Sequence, residues 1–186
     1  MVKFAQEPDT IQAKVQQEID QVIGRERKPT WEDRLRMPFT MACVWEMDRW
    51  KTAAPLGPAR DASEPAVVDE FYIPKGTVIL ANFWAAHFDP KVWNNPLEFD
   101  PSRFLNKDGS LVARKPDCLM SFSTGKRTCP GEILATMEIF LAITTFLQRF
   151  HVLPAGKAPF DINDPKILAG HIEHLKLRFL PRSLAD

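Results

Sequence analysis

The chain carries no excess of charge of either sign: twenty-four basic and twenty-four acidic residues leave a formal net charge of +0 at pH 7. Without a global field, a nucleic-acid backbone is not a partner that the composition points to. Cysteine is scarce. Cys43, Cys118 and Cys129 are an odd number without paired spacing, which argues against a disulfide framework and suits a reducing compartment. Zinc held by Cys118, Cys129 and His151 would lack the Cys-x-x-Cys knuckle usual for such sites. His87, His151, His171 and His174 have no convergent spacing, and on a strand His171 and His174 would face opposite sides. Long apolar runs are missing too. No stretch reaches the roughly 18 apolar residues of a membrane span, and MVKFAQEPDT does not read as a signal peptide.

Proline is abundant, with 16 residues, and it suits a long irregular segment from Asp89 to Pro130. Near the end of that segment lies FSTGKRTCPG, Phe122 to Gly131. A metal-bound thiolate needs a positive neighbour, amide donors and little water. Arg127, the flexible Gly125 and Gly131, and the apolar Phe122 offer each of these around Cys129. The following run, GEILATMEIFLAITTFLQRF, predicts a nearly all-apolar helix over about 131–150, buried on most of its circumference. Cys129 then sits at a helix N-terminus, where the macrodipole favours negative sulfur. A lone cysteine is more often a small buried hydrophobe, and Cys43 and Cys118 are read that way.

Two further motifs lie upstream. In MACVWEMDRWK, on a helix starting after Pro38, Glu46 and Arg49 stand three apart, so both side chains share a face and can hold a third group. Met41, Val44, Trp45 and Trp50 make that helix apolar on more than one side, which argues for burial of the pair. The second motif is FDPSRFL, whose Arg103 could be the third group, a guanidinium fork gripping a buried carboxylate.

Phe122, Gly125, Arg127, Cys129 and Gly131 together resemble the haem-binding loop of cytochromes P-450. Glu46, Arg49 and Arg103 are similar to that family's Glu-x-x-Arg helix and its later Pro-x-Arg-Phe segment, with Ser102 in the variable slot. The order and spacing of the motifs agree, and the resemblance runs from roughly Thr10 to Arg182. The wording of the chain looks most like microsomal animal members, arthropod ones in particular.

The resemblance implies the C-terminal half of the cytochrome P-450 fold, mainly α with small β-sheets (α+β). It implies haem as cofactor, with Cys129 as the axial ligand of the iron and Arg127 and Arg60 on its propionates. Phe122, Gly125 and Gly131 shape the loop, and Glu46, Arg49 and Arg103 form a structural network. Substrate would meet Ala54, Leu56 and Gly57 after the Glu46 helix and Leu168 and Ala169 near the C-terminus, all small or aliphatic. The implied activity is insertion of one atom of O₂ into a lipophilic substrate, with electrons from NADPH through NADPH-cytochrome P-450 reductase. The implied place is the cytoplasmic face of the endoplasmic reticulum membrane. Family members are more than twice this long, so residues 1–186 are expected to be a single partial domain, without the N-terminal part and its anchor. The oxygen-activating Ala-Gly-x-(Asp/Glu)-Thr helix is also expected to be absent; AGHIEH, Ala169 to His174, follows the cysteine and lacks the threonine.

The remaining elements follow from local pattern. A helix over 9–23 has Asp9 as N-cap and Gly24 as stop, with Ile11, Val15, Ile19 and Val22 at helical spacing. A short helical turn is expected over 31–36 and another short helix near Trp84. Pro74, Lys75 and Gly76 predict a turn pairing VVDEFYI with TVILANF. ILAGHIEHLKLRFL predicts a strand pair turning near Gly170.

Overall fold

The computed structural model describes residues 1–156 and 176–183, which form mainly helices with small two-stranded sheets. They divide into two compact units. One comprises residues 1–41, 107–111 and 133 onward, and the other residues 42–106 and 112–132.

In the first unit, helix α1 spans Val2–Gln6 and a π-helical turn, Pro8–Gln12, runs into α2, Ala13–Val22. The helical stretch thus begins earlier than the predicted cap, and Asp9 caps nothing: Pro8 takes the first helical position, where its missing N–H costs no hydrogen bond. Gly24 ends the stretch as expected, with φ of 77° and its N–H on the Ile19 carbonyl. Ile11, Val15, Ile19 and Ile23 are buried with Phe4, Phe140, Leu147 and Val152.

Three buried glutamines fasten α2 and its turn to the rest of the unit. The Gln12 side chain donates to the Phe4 and Val152 carbonyls and accepts from the Val152 N–H. Gln16 donates to the Leu147 and Phe150 carbonyls, and Gln148 to those of Gly24 and Arg27. A 3-10 helix, Trp31–Arg36, begins with a Thr30–Asp33 capping box. The bidentate hydrogen bond from Arg27 holds the Asp33 carboxyl well below the usual carboxylate range. Glu18 accepts from the N–H groups of Phe39 and Thr40 at the start of α3, Pro38–Trp50.

Helix α5, Glu132–Arg149, occupies the predicted place, but it buries one face only. Thr136, Phe140, Ile143, Thr144, Leu147 and Gln148 are buried within the first unit. Ile133 (70%) and Leu134 (59%) are exposed, so the expectation of burial around most of the circumference does not hold. Strand β5, Phe150–Pro154, follows at once and pairs antiparallel with β6, Leu177–Pro181. The predicted turn near Gly170 and both terminal pocket residues, Leu168 and Ala169, lie outside the described residues, as do His171 and His174. The described part of that prediction, β6, takes its partner from β5.

The second unit holds α3 from Ala42 on, whose Trp45 and Trp50 meet Phe104 and Phe99 edge-on at 5.7 and 5.6 Å between ring centres. Its sheets differ from expectation. Strand β2, Ala66–Val68, pairs with β3, Phe71–Ile73, around a turn at Asp69, which takes a positive φ of 51°. The segment read as one strand therefore folds on itself, because aspartate tolerates the left-handed region better than most residues. The Pro74–Gly76 turn does form, with Gly76 at φ 80°. It carries the chain into β4, Val78–Ile79, which pairs with the earlier β1, Arg60–Asp61. Helix α4, Phe83–Phe88, is capped by Asn82, which accepts from the Ala85 N–H. The rest is irregular up to α5, apart from 3-10 turns at Pro101–Phe104 and Gly125–Arg127.

Candidate functional site

The second unit contains two sites built around arginines. At the first, Glu46 and Arg49 of α3 are fully buried, each 0% exposed. Arg49 Nε and Nη2 grip the two carboxylate oxygens at 2.7 Å each. Its other N–H groups donate to the carbonyls of His87, Pro96 and Glu98 at 2.8, 2.9 and 3.0 Å. All five donors of the guanidinium are thus used. Glu46 Oε1 also accepts the Asp100 N–H at 2.8 Å. A buried ion pair costs desolvation, and this one is tolerable because all five guanidinium donors and both carboxylate oxygens have partners.

Arg103 reaches the same carboxylate through Nε alone, at 3.4 Å. The bidentate grip on Glu46 belongs to Arg49, whereas Arg103 turns its terminal nitrogens to the carbonyls of Asn94 and Asn95. Arginine donors and the Trp50 indole, which donates to the Leu97 carbonyl at 2.7 Å, therefore fix the irregular run from Asn94 to Asp100 on α3. That run has no side-chain period in the sequence, because what the cations recognise is main-chain oxygen.

Next to the first site, Asp48 is 8% exposed, and burial pushes its carboxyl up to about 6 against the opposing pull of Lys115, with Glu132 adding to the rise. Its Oδ2 has no hydrogen-bonding partner among the described residues. Lys115 pairs with Glu132 at 2.8 Å and lies over the rings of Trp45 and Phe122.

At the second site the chain leaves Phe122, passes Ser123 and Gly125 at positive φ, and returns so that the Cys129 N–H donates to the Phe122 carbonyl at 2.8 Å. Cys129 is a free, exposed thiol three residues before α5. It opens onto a cavity of about 320 Å³ whose apolar wall is Ala54, Pro58, Phe83 and Phe122, with Ser121, Ser123, Arg60 and Arg127 completing it. That volume is within the range of small-molecule sites. Arg60 donates to the Arg127 carbonyl at 3.3 Å, so the two cationic residues approach each other on one side of the cavity. The Arg127 side chain has no hydrogen-bonding partner among the described residues.

The structure brings Cys129, Arg127, Phe122, Arg60 and Ala54 to one cavity. Leu56 instead bridges to Asn82 and is 54% exposed, and Gly57 is buried where an added Cβ would lie 2.9 Å from the Phe83 ring. Gly125 needs its positive φ of 69°, whereas at Gly131 a Cβ would meet only Cys129 Sγ, at an ordinary 3.7 Å. Pro58 and Phe83 escaped the sequence reading; both are ordinary apolar positions with no motif around them. Cys118, read as core, is half-buried, and burial raises its thiol.

The cytochrome P450 family model matches residues 2–179, nearly the whole chain. The chain belongs to the cytochrome P450 family. It is 46% identical to cytochrome P450 2D15 of Canis lupus familiaris over 151 residues, 81% of this chain and 30% of that protein. It is 43% identical to cytochrome P450 2U1 of Bos taurus over 80% of this chain and 27% of the relative. With cytochrome P450 2A11 of Oryctolagus cuniculus it shares 41% over 95% of this chain and 34% of the relative. These relatives are animal cytochromes P450, as the resemblance implied, and the chain spans about a third of their length. Among the described residues no helix is long and apolar enough to cross a membrane.

Proposed function

We propose that this chain is the C-terminal, haem-binding part of a haem-thiolate monooxygenase that inserts one atom of O₂ into a lipophilic organic substrate. The observation that carries the reading is the free Cys129 thiol opening onto an apolar cavity flanked by two arginines. The donor set fits haem. A soft sulfur suits iron, the apolar wall suits a flat hydrocarbon macrocycle, and Arg127 and Arg60 suit its two acid groups. When bound, thiolate-ligated haem supplies electron density from sulfur that favours O–O cleavage.

In this reading Cys129 holds the iron, and Phe122 lines the apolar wall beside it. Arg127 and Arg60 orient the acid groups, while Gly125 allows the turn that presents the cysteine. Glu46, Arg49 and Arg103 form the scaffold behind the loop. Ala54 and Pro58 border the space where a lipophilic substrate would lie. Electrons come from NADPH through NADPH-cytochrome P-450 reductase, and the enzyme works on the cytoplasmic face of the endoplasmic reticulum membrane.

A second reading is favoured by the missing oxygen-activating motif: residues 1–186 bind haem without turnover. Loading the chain with haemin tests both. A red-shifted Soret band of the ferrous carbonyl complex marks thiolate ligation, and its absence defeats the haem-thiolate proposal. Incubation with reductase, NADPH and a panel of lipophilic compounds is expected to give no hydroxylated product from the isolated chain, since catalysis needs a closed, water-excluding distal side. Product above a heat-killed control would instead show residues 1–186 to be catalytically sufficient.

A further inference from the structure

His87, at the end of α4, is 0% exposed, yet both ring nitrogens are engaged. The Met120 N–H donates to Nε2 at 2.8 Å, and Nδ1 lies 2.5 Å from Thr52 Oγ1. A main-chain N–H can only donate, so Nε2 carries no proton and Nδ1 does. Nδ1–H then donates to Thr52 Oγ1, and the Thr52 hydroxyl in turn donates a hydrogen bond to the carbonyl of Arg49 or of Asp48, at 3.1 and 3.3 Å. The His87 carbonyl meanwhile accepts from Arg49 Nη1. Burial and the nearby Arg49 charge both keep the ring neutral.

One imidazole therefore ties the last turn of α3 and α4 to the main chain that feeds the cysteine segment. Met120 stands two residues before Phe122, whose carbonyl receives the Cys129 N–H. Ser121 Oγ adds a parallel tie, donating to the Asp48 carbonyl at 2.7 Å. Beyond these anchors, the bonds of residues 122–129 at the cysteine turn are largely local, with Thr128 Oγ1 also on the Phe122 carbonyl. Displacing Met120 would move that carbonyl, and with it Cys129.

We infer that His87, in its Nδ1–H tautomer, is a positioning residue that sets the placement of Cys129 by accepting the Met120 amide. This rests on the haem-thiolate reading for its consequence at the iron, while the relay itself belongs to the chain alone.

Four variants and three measurements test it. His87→Phe keeps a ring of similar size without an acceptor; His87→Gln offers a carboxamide oxygen to Met120 and an N–H₂ to Thr52. In the 186-residue chain, amide exchange at Met120 and Cys129 should quicken about tenfold or more in His87→Phe and return toward the parent rate in His87→Gln. In haemin-loaded protein, His87→Phe should convert most of the ferrous carbonyl complex from the red-shifted to a shorter-wavelength Soret band, and His87→Gln should restore it. Thr52→Val should fall between the parent and His87→Phe on both measures, and Ser121→Ala should give a smaller change than Thr52→Val. Nitrogen-15 shifts of the parent should mark His87 as the Nδ1–H tautomer.

An Nε2–H tautomer would overturn the proposal, as would parent-like exchange in His87→Phe. Equal loss in His87→Phe and His87→Gln would reduce His87 to a packing residue. If His87→Phe does not fold, the tautomer, His87→Gln and Thr52→Val still decide. Absence of the red-shifted band in the parent would count against the haem-thiolate reading alone, because the exchange rates and the tautomer do not depend on haem.

Discussion

Arg49 and Arg127 are equally prominent in the sequence, each inside a motif, yet the structure treats them oppositely. Arg49 is fully buried, with all five donors on Glu46 and three carbonyls. Arg127 is exposed at the rim of an apolar cavity, with no hydrogen-bonding partner for its side chain among the described residues. A saturated guanidinium has nothing left for a ligand, so it is scaffold. An unsaturated one beside a thiol and an apolar wall is equipped to receive an acid. Bonding state thus separates two roles that residue type leaves open.

The comparison breaks most visibly at the sulfur. Cys129→Ser should abolish the thiolate-type carbonyl spectrum of haem-loaded protein completely, while Cys43→Ser and Cys118→Ser keep it, because only Cys129 faces the cavity. A red-shifted band surviving in Cys129→Ser would move the ligand elsewhere and end the contrast between the sites.

On the scaffold side, Arg49→Ala strands a fully buried Glu46 carboxylate together with three carbonyls. Breaking such a pair typically costs about 3 to 5 kcal/mol. Arg103→Ala removes one long contact to Glu46 and three carbonyl bonds but leaves the bidentate Arg49 grip on that carboxylate intact, so its loss should be smaller. Arg114→Ala, whose ion pair with Asp117 is 80% exposed on the arginine side, should leave the urea midpoint unchanged. Equal midpoints for all three variants would show that saturation is not what separates them.

Much of this was legible in the sequence, and the limits have physical causes. The three-residue spacing of Glu46 and Arg49 fixes a shared helix face, and the glycine and arginine setting marks Cys129 among the three cysteines. What stayed hidden depends on main-chain oxygens, which carry no residue identity: the carbonyls of His87, Pro96 and Glu98 around Arg49, or those that Gln12, Gln16 and Gln148 meet in the first unit. The β2–β3 turn was missed because it rests on a positive φ at Asp69, where no glycine advertises it. His87 shows no convergent spacing with the other histidines for the same reason, since its partner at Met120 is a main-chain amide.

Two buried titratable groups of the second unit give stability slopes of opposite sign. Burial lowers His87 from an ordinary 6.5 to about 4. The unfolded chain then binds more protons between those values, and the stability contributed by the neutral ring is complete above pH 6.5 and lost as pH falls toward 4. Asp48 is raised from 3.8 to about 6, so folding is favoured by its protonated form, and its contribution fades as pH rises from about 4 to 6. Each amounts to about 3 kcal/mol at the unit conversion of about 1.4 kcal/mol per pKa unit. In the parent chain the two slopes offset each other between pH 4 and 6. Asp48→Asn should uncover a stability that climbs with pH across that window and should stabilise the chain above pH 6. Urea unfolding of both chains from pH 4 to 7 checks this; parallel curves would mean that Asp48 is not buried as a free acid.

The smallest expected effect lies at the cavity rim. If Arg127 and Arg60 each hold one acid group of haem, each removal forfeits a charge-assisted hydrogen bond worth about 1.5–3 kcal/mol, or roughly ten- to a hundredfold in affinity. Arg127 should be the more costly loss. Its side chain is uncommitted, whereas Arg60 Nη2 already donates to the Arg127 carbonyl, and that bond must be shared or broken when an acid arrives. Haemin titration of Arg127→Ala, Arg60→Ala and the double variant therefore sharpens the contrast with Arg49→Ala, which should lower stability before it touches affinity. Esterified haem, with no free acids, supplies the control: it should bind the parent and both single variants alike. If esterified haem still separates the variants, the arginines act through the loop's shape rather than through the acids, and the distinction drawn from bonding state fails at the site where it matters most.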